Sequence, residues 1–181
     1  MFLSRQAEEV SDLEAALHFR KGCASDLAEI DALVQAAILA MNAAGIEQWD
    51  EVYPTVDDFR RDCESGHLRV GEIRGRVAVV YVLNRLCDEE YHAADWQCCD
   101  GDWRVLHRLC VHPDFQNLGV GNQTMAHIEQ EALNSGVRSL RLDVFTRNPY
   151  ALRLYQKRGF RQAGTADWRM GRFLLMEKIL G

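Results

Sequence analysis

Residues 108–122 read RLCVHPDFQNLGVGN, an apolar run that leads through a turn into a loop with two glycines. The first amides of a helix have no intrahelical acceptor, and the helix dipole places positive potential beside them. Gly119 and Gly121 would let an anion approach the backbone without a Cβ in the way. The stretch therefore predicts a strand, a turn and a helix whose N-terminus suits a pyrophosphate. Equally, the glycines could serve only a tight strand-to-helix turn.

Two other phosphate-binding loops match these residues poorly. The dinucleotide-binding loop of parallel βαβ units carries three glycines, whereas residues 116–121 carry two, so that fold is disfavoured. A Walker A loop is excluded, because no Gly-Lys followed by Ser or Thr occurs here.

A second stretch, residues 148–160, reads NPYALRLYQKRGF. Asn148 suits the N-cap of a helix and Pro149 its first position. Ala151 and Tyr155 are four residues apart, so they share one helical face. Because alanine leaves space on that face, a ligand could pass beside the helix and meet the tyrosine.

Together the two stretches resemble the signatures of the GNAT superfamily of N-acetyltransferases. The first signature, Q/R-x-x-G-x-G/A after a strand ending in V-x-P, is matched over residues 111–121. The second, N-x-x-A-x-x-x-Y-x-x-x-G-F, is matched over residues 148–160. Two motifs at the right separation are much more specific than either one, and the predicted element order extends the resemblance to nearly the whole chain.

The resemblance implies acetyl-CoA as cosubstrate. By analogy, the backbone of Leu109 and Val111 would pair with the pantetheine arm, which Asn148 would also contact beside Ala151. Tyr155 would lie near the thioester sulfur. The pyrophosphate would be held by backbone amides, with the Gln116 side chain assisting; those amides belong to Asn117, Leu118, Gly119, Val120, Gly121 and Asn122.

The implied chemistry is direct attack of a neutral amine on the thioester in a ternary complex. The Val111 amide is the candidate donor to the oxyanion. A thiol has a pKa of about 8.5 and a phenol one of about 10, so Tyr155 is the candidate general acid; it could also be a half-buried packing residue. No base is chosen, since water or any of six side chains could serve: Glu47, Asp50, Glu51, Glu72, His107 and Asp143.

Aromatic residues mark the loops that border the acceptor pocket in this family: Trp49, Tyr53, Trp96 and Trp103. They could line a site for an apolar amine or anchor long loops to the core. Trp49 and Tyr53 are the candidate substrate-binding residues. The acidic residues beside Trp49 could attract an ammonium group or form a solvated loop. We expect the acceptor to be a small-molecule amine, an amino acid or a peptide.

The composition is that of a globular enzyme, with 48% hydrophobic and 27% charged residues. A net charge of −6 argues against nucleic acid and weakly favours a cationic substrate. The first residues lack the apolar run of a signal peptide and no segment approaches a membrane span, so we expect a cytoplasmic protein. Six cysteines without ligand spacing favour reduced thiols over a metal site. The family makes a homodimer plausible.

The predicted order is β-α-α-β-β-β-α-β-α-β, with an extra strand near residues 161–163. It indicates a single domain over residues 1–181 with an α+β fold in three layers (α/β/α). The sheet is expected to be mixed, mostly antiparallel and six- to seven-stranded, with helices on both faces. In detail, Ser25 is expected to cap the first helix, and Leu133 to face the core from the helix after Gly119.

The alternative function is a non-catalytic acyl-CoA-binding or regulatory domain of the same fold. Tyr155 argues against it, because a domain that only binds has no chemical need for an acid at that position.

Overall fold

The computed structural model describes residues 17–181, so the expectation about the N-terminal residues lies outside the described part. The strands and helices, in chain order, are β1 His18–Lys21, α1 Leu27–Ala43, α2 Val56–Glu64, β2 Leu68–Ile73, β3 Arg76–Asn84, β4 Trp103–Val111, α3 Val120–Asn134, β5 Ser139–Phe145, α4 Pro149–Lys157, β6 Arg161–Trp168 and β7 Gly171–Ile179. Every helix among them is too short or too polar to cross a bilayer.

Seven strands form one sheet in the order β1-β2-β3-β4-β5-β7-β6. The pairing of β4 with β5 is parallel, and all other neighbours are antiparallel. The predicted mixed, mostly antiparallel sheet is therefore confirmed. The extra strand expected near residues 161–163 is longer than predicted, and as β6 it forms the edge beside β7.

The central strands β4 and β5 separate towards their C-terminal ends. The two strands are paired only where Trp103–Leu106 of β4 run beside Ser139–Leu142 of β5. Beyond it, β4 remains paired with β3 as far as Val111, and β5 with β7 as far as Phe145. The sheet is thus split between two strands that are each held on their other side.

A β-bulge lies in β4 at the start of this split. Arg108 has a φ of 51°, and the register between β3 and β4 shifts between Val80 and Val82. The extra residue breaks the alternation of the strand, because Leu106 and Leu109 pack against the same hydrophobic cluster. A positive φ is uncommon for a residue other than glycine and often marks a functional site.

Helices cover both faces of the sheet, as predicted. Helices α1 and α2 bury their apolar residues against Leu68, Val70, Val80 and Val82. Helices α3 and α4 cover the opposite face, where Tyr81 and Leu106 belong to the buried cluster. Because successive strand residues point to opposite faces, Val80 and Tyr81 contribute to different layers.

Two detailed expectations are wrong. Leu133 is 42% exposed, because Met125, Ile128 and Ala132 already follow the 3–4 spacing of the buried face and the next residue is rotated about 100° from Ala132. Ser25 is not a cap: a 3₁₀ turn, Ala24–Asp26, precedes α1, and the Asp26 carboxylate accepts the Cys23 amide at 2.8 Å. At the start of α2, the side chains of Thr55 and Asp58 form a capping box.

Candidate active site

A cavity of about 510 Å³ lies where β4 and β5 separate. One side is formed by the C-terminal parts of these strands together with Ala151 and Tyr155 of α4. The other side comes from the loop between α1 and α2 and from the turn between β6 and β7. Its volume falls within the range of ordinary small-molecule sites, about 300–1,000 Å³.

Tyr155 lies in this cavity with Ala151, as their four-residue spacing predicts. Its ring packs against Phe160, with centroids 5.7 Å apart. Burial, with the nearby charge of Asp143 adding to it, raises the pKa of the Tyr155 hydroxyl above its usual value. The phenol is therefore protonated at neutral pH, as a general acid has to be before it reacts.

Asn148 is buried and acts as the N-cap of α4. Its Oδ1 accepts the Ala151 amide at 3.0 Å, and its Nδ2 donates to Gln48 Oε1 at 2.8 Å. Gln48 itself lines the cavity, whereas Asn148 does not. Both polar ends of this carboxamide are thus engaged within the protein, and its contact with pantetheine stays a prediction.

The glycine loop has the geometry expected of an anion site. Gly119 caps α3 with a φ of 82°, and Asn117 has a φ of 60°. Within residues 17–181, no backbone or side-chain atom accepts a hydrogen bond from the amides of Val120, Gly121 and Asn122. The first turn of α3 also carries no acidic side chain. An anion there would meet free donors and no opposing charge.

Protein packing does not demand a glycine at position 121. A Cβ added there would meet Leu154 and Val111 at 3.6 and 4.0 Å, which are ordinary contacts. The Val120 side chain, in contrast, is buried in the core, so only its backbone is available. The residues of this loop therefore fit a pyrophosphate held by main-chain amides. They lie beyond the lining of the cavity.

The backbone of Val111 faces the split in the sheet. His112 donates its amide to Ala78, so in this antiparallel ladder the amide and carbonyl of the preceding Val111 point away from β3. They point to the side where β5 no longer pairs. The carbonyl accepts Gln116 Nε2 at 3.0 Å, which fixes that side chain against the strand.

Asp143 is a buried carboxylate of the cavity, and its pKa is raised. It interrupts the apolar sequence of β5, and its Oδ1 accepts a 2.9 Å hydrogen bond from the Tyr91 hydroxyl. Burial raises its pKa to about 6, although the hydrogen bond from Tyr91 opposes the shift. A carboxylate of this pKa is ionised at neutral pH and takes up a proton more readily than a solvated one.

His107 also lines the cavity, but as a weak base. Its Nε2 lies 3.1 Å from Asn84 Oδ1 and 3.0 Å from the Leu86 carbonyl; because both are acceptors, Nε2 carries the proton. Burial, followed by the charge of Arg108, lowers the pKa of His107 to about 4. The ring is therefore neutral at pH 7.

The remaining candidate bases lie outside the cavity lining. Asp50 binds Arg169 in a bidentate ion pair at 2.6 and 2.9 Å. Glu72 binds Arg20 on the far edge strands. Glu47 and Glu51 do not line the cavity either. The structure thus brings two of the six candidates, His107 and Asp143, to the place where Tyr155 lies.

The four loop aromatics divide into two roles. Trp49 and Tyr53 line the cavity, and their role in binding the substrate stays a prediction. Trp96 and Trp103 instead hold the Arg141 guanidinium between their rings, at 4.4 and 4.6 Å. These two anchor the segment between β3 and β4 to the sheet, which is the core role that the sequence left open.

Sequence reasoning missed the most buried charge pair of the cavity, Arg108 with Asp62. Arg108 Nε and Nη2 donate to the Asp62 carboxylate at 2.6–3.0 Å, and Nη1 donates to the Tyr53 hydroxyl at 2.7 Å. A cationic residue inside an apolar strand was the available signal. Trp168 and Phe173 were missed as well, since nothing local links the β6–β7 turn to the cavity.

Cysteines and metal ligands form no second site among residues 17–181. All six cysteines are free thiols, with Cys98 and Cys110 buried. In that part of the chain no three His, Cys, Asp or Glu side chains converge as ligands for a metal ion.

Comparison with known proteins gives a match to the sequence profile of the Acetyltransferase (GNAT) family over residues 44–160. Among curated relatives, the [ribosomal protein bS18]-alanine N-acetyltransferase of Salmonella typhimurium is 37% identical over 62 residues, which are 34% of this chain and 42% of that protein. The L-amino acid N-acyltransferase MnaT of Escherichia coli is 30% identical over 83 residues, 41% of this chain and 48% of that protein. The chain thus spans less than half the length of these relatives.

The fold also recurs in solved structures. The structure of yncA from Salmonella typhimurium, which contains its cofactor acetyl-CoA, superposes with a TM-score of 0.65 at 20% identity. The match covers 92% of this chain and 95% of that one. At this identity the likeness concerns the fold.

Proposed function

Because this chain belongs to the acetyltransferase (GNAT) family, we propose that it transfers an acyl group from a CoA thioester to a primary amine. The acyl group that we expect is acetyl. The observation that carries the proposal is the split between β4 and β5, which opens the cavity beside Tyr155. The free amides at the start of α3 supply a place for the pyrophosphate at the same end of β4. The relatives are named as an N-acetyltransferase and an N-acyltransferase, and the yncA structure contains acetyl-CoA; both agree with this choice of cosubstrate.

In the proposed reaction Asp143 accepts the first proton of the substrate ammonium. Its pKa of about 6 leaves it ionised at neutral pH, whereas His107, with a pKa of about 4, is a poorer proton acceptor. The neutral amine then attacks the thioester carbonyl. The Val111 amide, which points into the split, donates to the oxyanion that forms.

Tyr155 completes the transfer by donating its proton to the departing thiolate. The C–S bond breaks as the tetrahedral adduct collapses to the amide. The second proton of the former ammonium nitrogen returns to the tyrosinate, so that Tyr155 is regenerated, and the first proton leaves Asp143 for solvent. The balance is one amine and one thioester consumed, and one amide and one thiol formed.

Two measurements test this function. Isothermal titration with acetyl-CoA and with CoA should show binding to the folded protein, and its absence would overturn the proposal. A thiol-release assay over a panel of amines then separates an enzyme from a domain that only binds acyl-CoA, which releases no thiol with any amine.

Tyr155→Phe tests the general acid. Removing the hydroxyl should lower kcat by about 100-fold or more, within the usual range for general acid–base groups. Affinity for CoA should stay within error, because the phenol acts only on the leaving sulfur. An unchanged kcat would remove Tyr155 from the acid role. Tyr150→Phe, an exposed tyrosine at 71% on the same helix, is the matched control and should change neither quantity.

A further inference from the structure

We propose that the cavity selects acceptors whose amine stands beside an uncharged group, as in a peptide N-terminus or an amino amide, and disfavours free amino acids. The proposal rests on the proposed function and deepens it by naming the acceptor class. Its basis is the charge state of the cavity: the guanidinium that could receive a carboxylate is already neutralised by Asp62.

Most of the hydrogen-bonding capacity of Arg108 is already used within the protein. Its Nε and Nη2 are bound to both oxygens of Asp62, and Nη1 to the Tyr53 hydroxyl. The side chains of the pair are only 14% and 10% exposed. The ring of Phe59 lies 6.0 Å from the guanidinium and covers it further. A substrate carboxylate would have to displace a buried, doubly hydrogen-bonded partner.

The pair is also fixed by the backbone. Arg108 is the bulged residue of β4, and its positive φ sets the direction of its side chain. Asp62 comes from α2, 46 residues earlier in the chain. Because the two are held on separate, rigid elements, neither moves away without disturbing the packing of helix against sheet.

Other charges in the cavity also disfavour an anion. Arg169, at the rim, is bound to Asp50. The lining contains two arginines and the carboxylates Asp62, Asp88 and Asp143, so acidic side chains outnumber basic ones. A free amino acid would bring one more negative charge into this environment, where an unpaired anion is costly to desolvate. An ammonium next to an amide brings none.

The apolar part of the lining provides for a side chain on the acceptor. Trp49 and Tyr53 approach from the α1–α2 loop, and Trp168, Met170 and Phe173 from the β6–β7 turn. Aromatic walls of this kind suit an apolar group beside the amine. Phenylalanine derivatives are therefore suitable probes.

The decisive experiment compares four probes that share one side chain: phenylalaninamide, the peptide Phe-Ala-Ala-amide, phenethylamine and free phenylalanine. Their binding to the CoA-loaded protein is measured by titration, and their turnover by thiol release. The amide and the peptide should exceed free phenylalanine by at least about tenfold in both affinity and kcat/KM, as expected for a missing counter-charge. Equal or better use of free phenylalanine would overturn the inference.

The four probes also distinguish a protein N-terminus from a small amide as the acceptor. A peptide that is preferred over the single-residue amide indicates a protein N-terminus, and the reverse order indicates a small amide. Phenethylamine, which has no carboxylate, should also exceed free phenylalanine; if it does not, the missing charge is not the cause of the preference. If thiol is released with none of the probes, the proposed function fails. The order of the affinities of the four probes, measured by titration, still decides whether the cavity disfavours a carboxylate.

Asp62→Asn supplies a specificity switch. The substitution keeps the shape of the side chain but leaves Arg108 without its counter-charge. The ratio of kcat/KM for phenylalaninamide to kcat/KM for free phenylalanine should therefore fall at least about fivefold or reverse. Asp57→Asn is the matched control: it lies on the same helix, is 65% exposed and pairs with Arg60 outside the cavity. The control should leave the ratio unchanged. If Asp62→Asn does not fold, the four probes on the wild-type protein decide the matter.

Discussion

The two halves of the candidate site are built by different means. The cofactor half, residues 109–122 and 148–155, consists of two short continuous segments in which a strand or a loop leads into a helix. The acceptor half is assembled from residues far apart in the chain: Arg108 meets Asp62 across 46 positions, and Asp143 meets Tyr91 across 52. Arg169 meets Asp50 across 119 positions.

The difference separates the part of the site that family members can share from the part that is specific to one acceptor. Free main-chain amides at a helix N-terminus suit a phosphate whatever the surrounding side chains are, so the same segment can serve many members of a family. The acceptor half depends on side chains from loops and strand ends, which vary without disturbing the core. Three substitutions, with four expected effects between them, address the two halves in order of decreasing effect.

The largest effect is expected for Asp143→Asn in the acceptor half. Asparagine keeps the size of the side chain but accepts no proton, so kcat should fall by about 100-fold or more, as for other general bases. CoA affinity should not change, because the cofactor half is intact. The wild-type pH profile should rise through a pKa near 6 and then level off. A profile without this limb would exclude Asp143 as the base.

The same substitution should stabilise the protein at high pH. The pKa of Asp143 is raised in the folded state, so its contribution to stability is complete below the unfolded carboxyl pKa and is lost as the pH rises through about 6. At pH 8, removing this buried charge should raise the free energy of unfolding by on the order of 3 kcal/mol, since the pKa rises from 3.8 to about 6 and one pKa unit corresponds to about 1.4 kcal/mol.

Urea unfolding of wild type and Asp143→Asn at pH 4 and pH 8 measures this effect. The two proteins should differ little at pH 4, where the carboxyl is neutral, and clearly at pH 8. Asp167→Asn serves as control, because this carboxylate is exposed and paired with Arg172 on the surface. An equal gain at both pH values would show that charge burial is not the cause.

The third effect concerns the cofactor half. Gly119→Ala places a Cβ in open space, with Gln123 Nε2 3.6 Å away, but at a φ of 82° that costs an L-residue about 1 kcal/mol. The loop should relax and its amides lose their common direction, so the Kd for CoA should rise about fivefold.

Gly136→Ala is the matched control at the other end of α3. Gly136 has a φ of 75° and no atom within 4 Å of an added Cβ, so the conformational cost is the same. Both variants should lose similar thermal stability, but only Gly119→Ala should lose CoA affinity. Equal CoA binding by the two would separate the loop from the cosubstrate.

The smallest effect is expected at the rim. Asp50→Asn weakens the ion pair with Arg169 that links the α1–α2 loop to the β6–β7 turn. Because exposed ion pairs contribute little, we expect the acceptor KM to rise only about two- to fivefold, with kcat and CoA affinity unchanged. Steady-state kinetics at low and high salt measure this. A loss of CoA affinity would show that the halves are coupled.

The sequence predicted the cofactor half more fully than the acceptor half. Asn148, Pro149 and the glycine loop act through neighbours three or four residues away, and caps and periodicity record such contacts directly. The errors at Ser25 and Leu133 are of one kind, since the residue in the expected role lies one or two positions earlier: Cys23 as the N-cap of the first turn and Ala132 as the buried residue. A local sequence pattern predicts that a helix is present, but not at which residue it begins or which neighbouring residue faces the core.

What the sequence by itself determined is the family, the order of the elements and the position of the glycine loop at the start of α3, because each depends on contiguous residues. Tertiary structure alone decided which two of the candidate bases share the cavity with Tyr155, which tryptophans anchor and which line the cavity, and that Arg108 is paired. These depend on the bulge in β4 and on the separation of β4 from β5. Both are properties of strand pairing between distant segments, which no local pattern records.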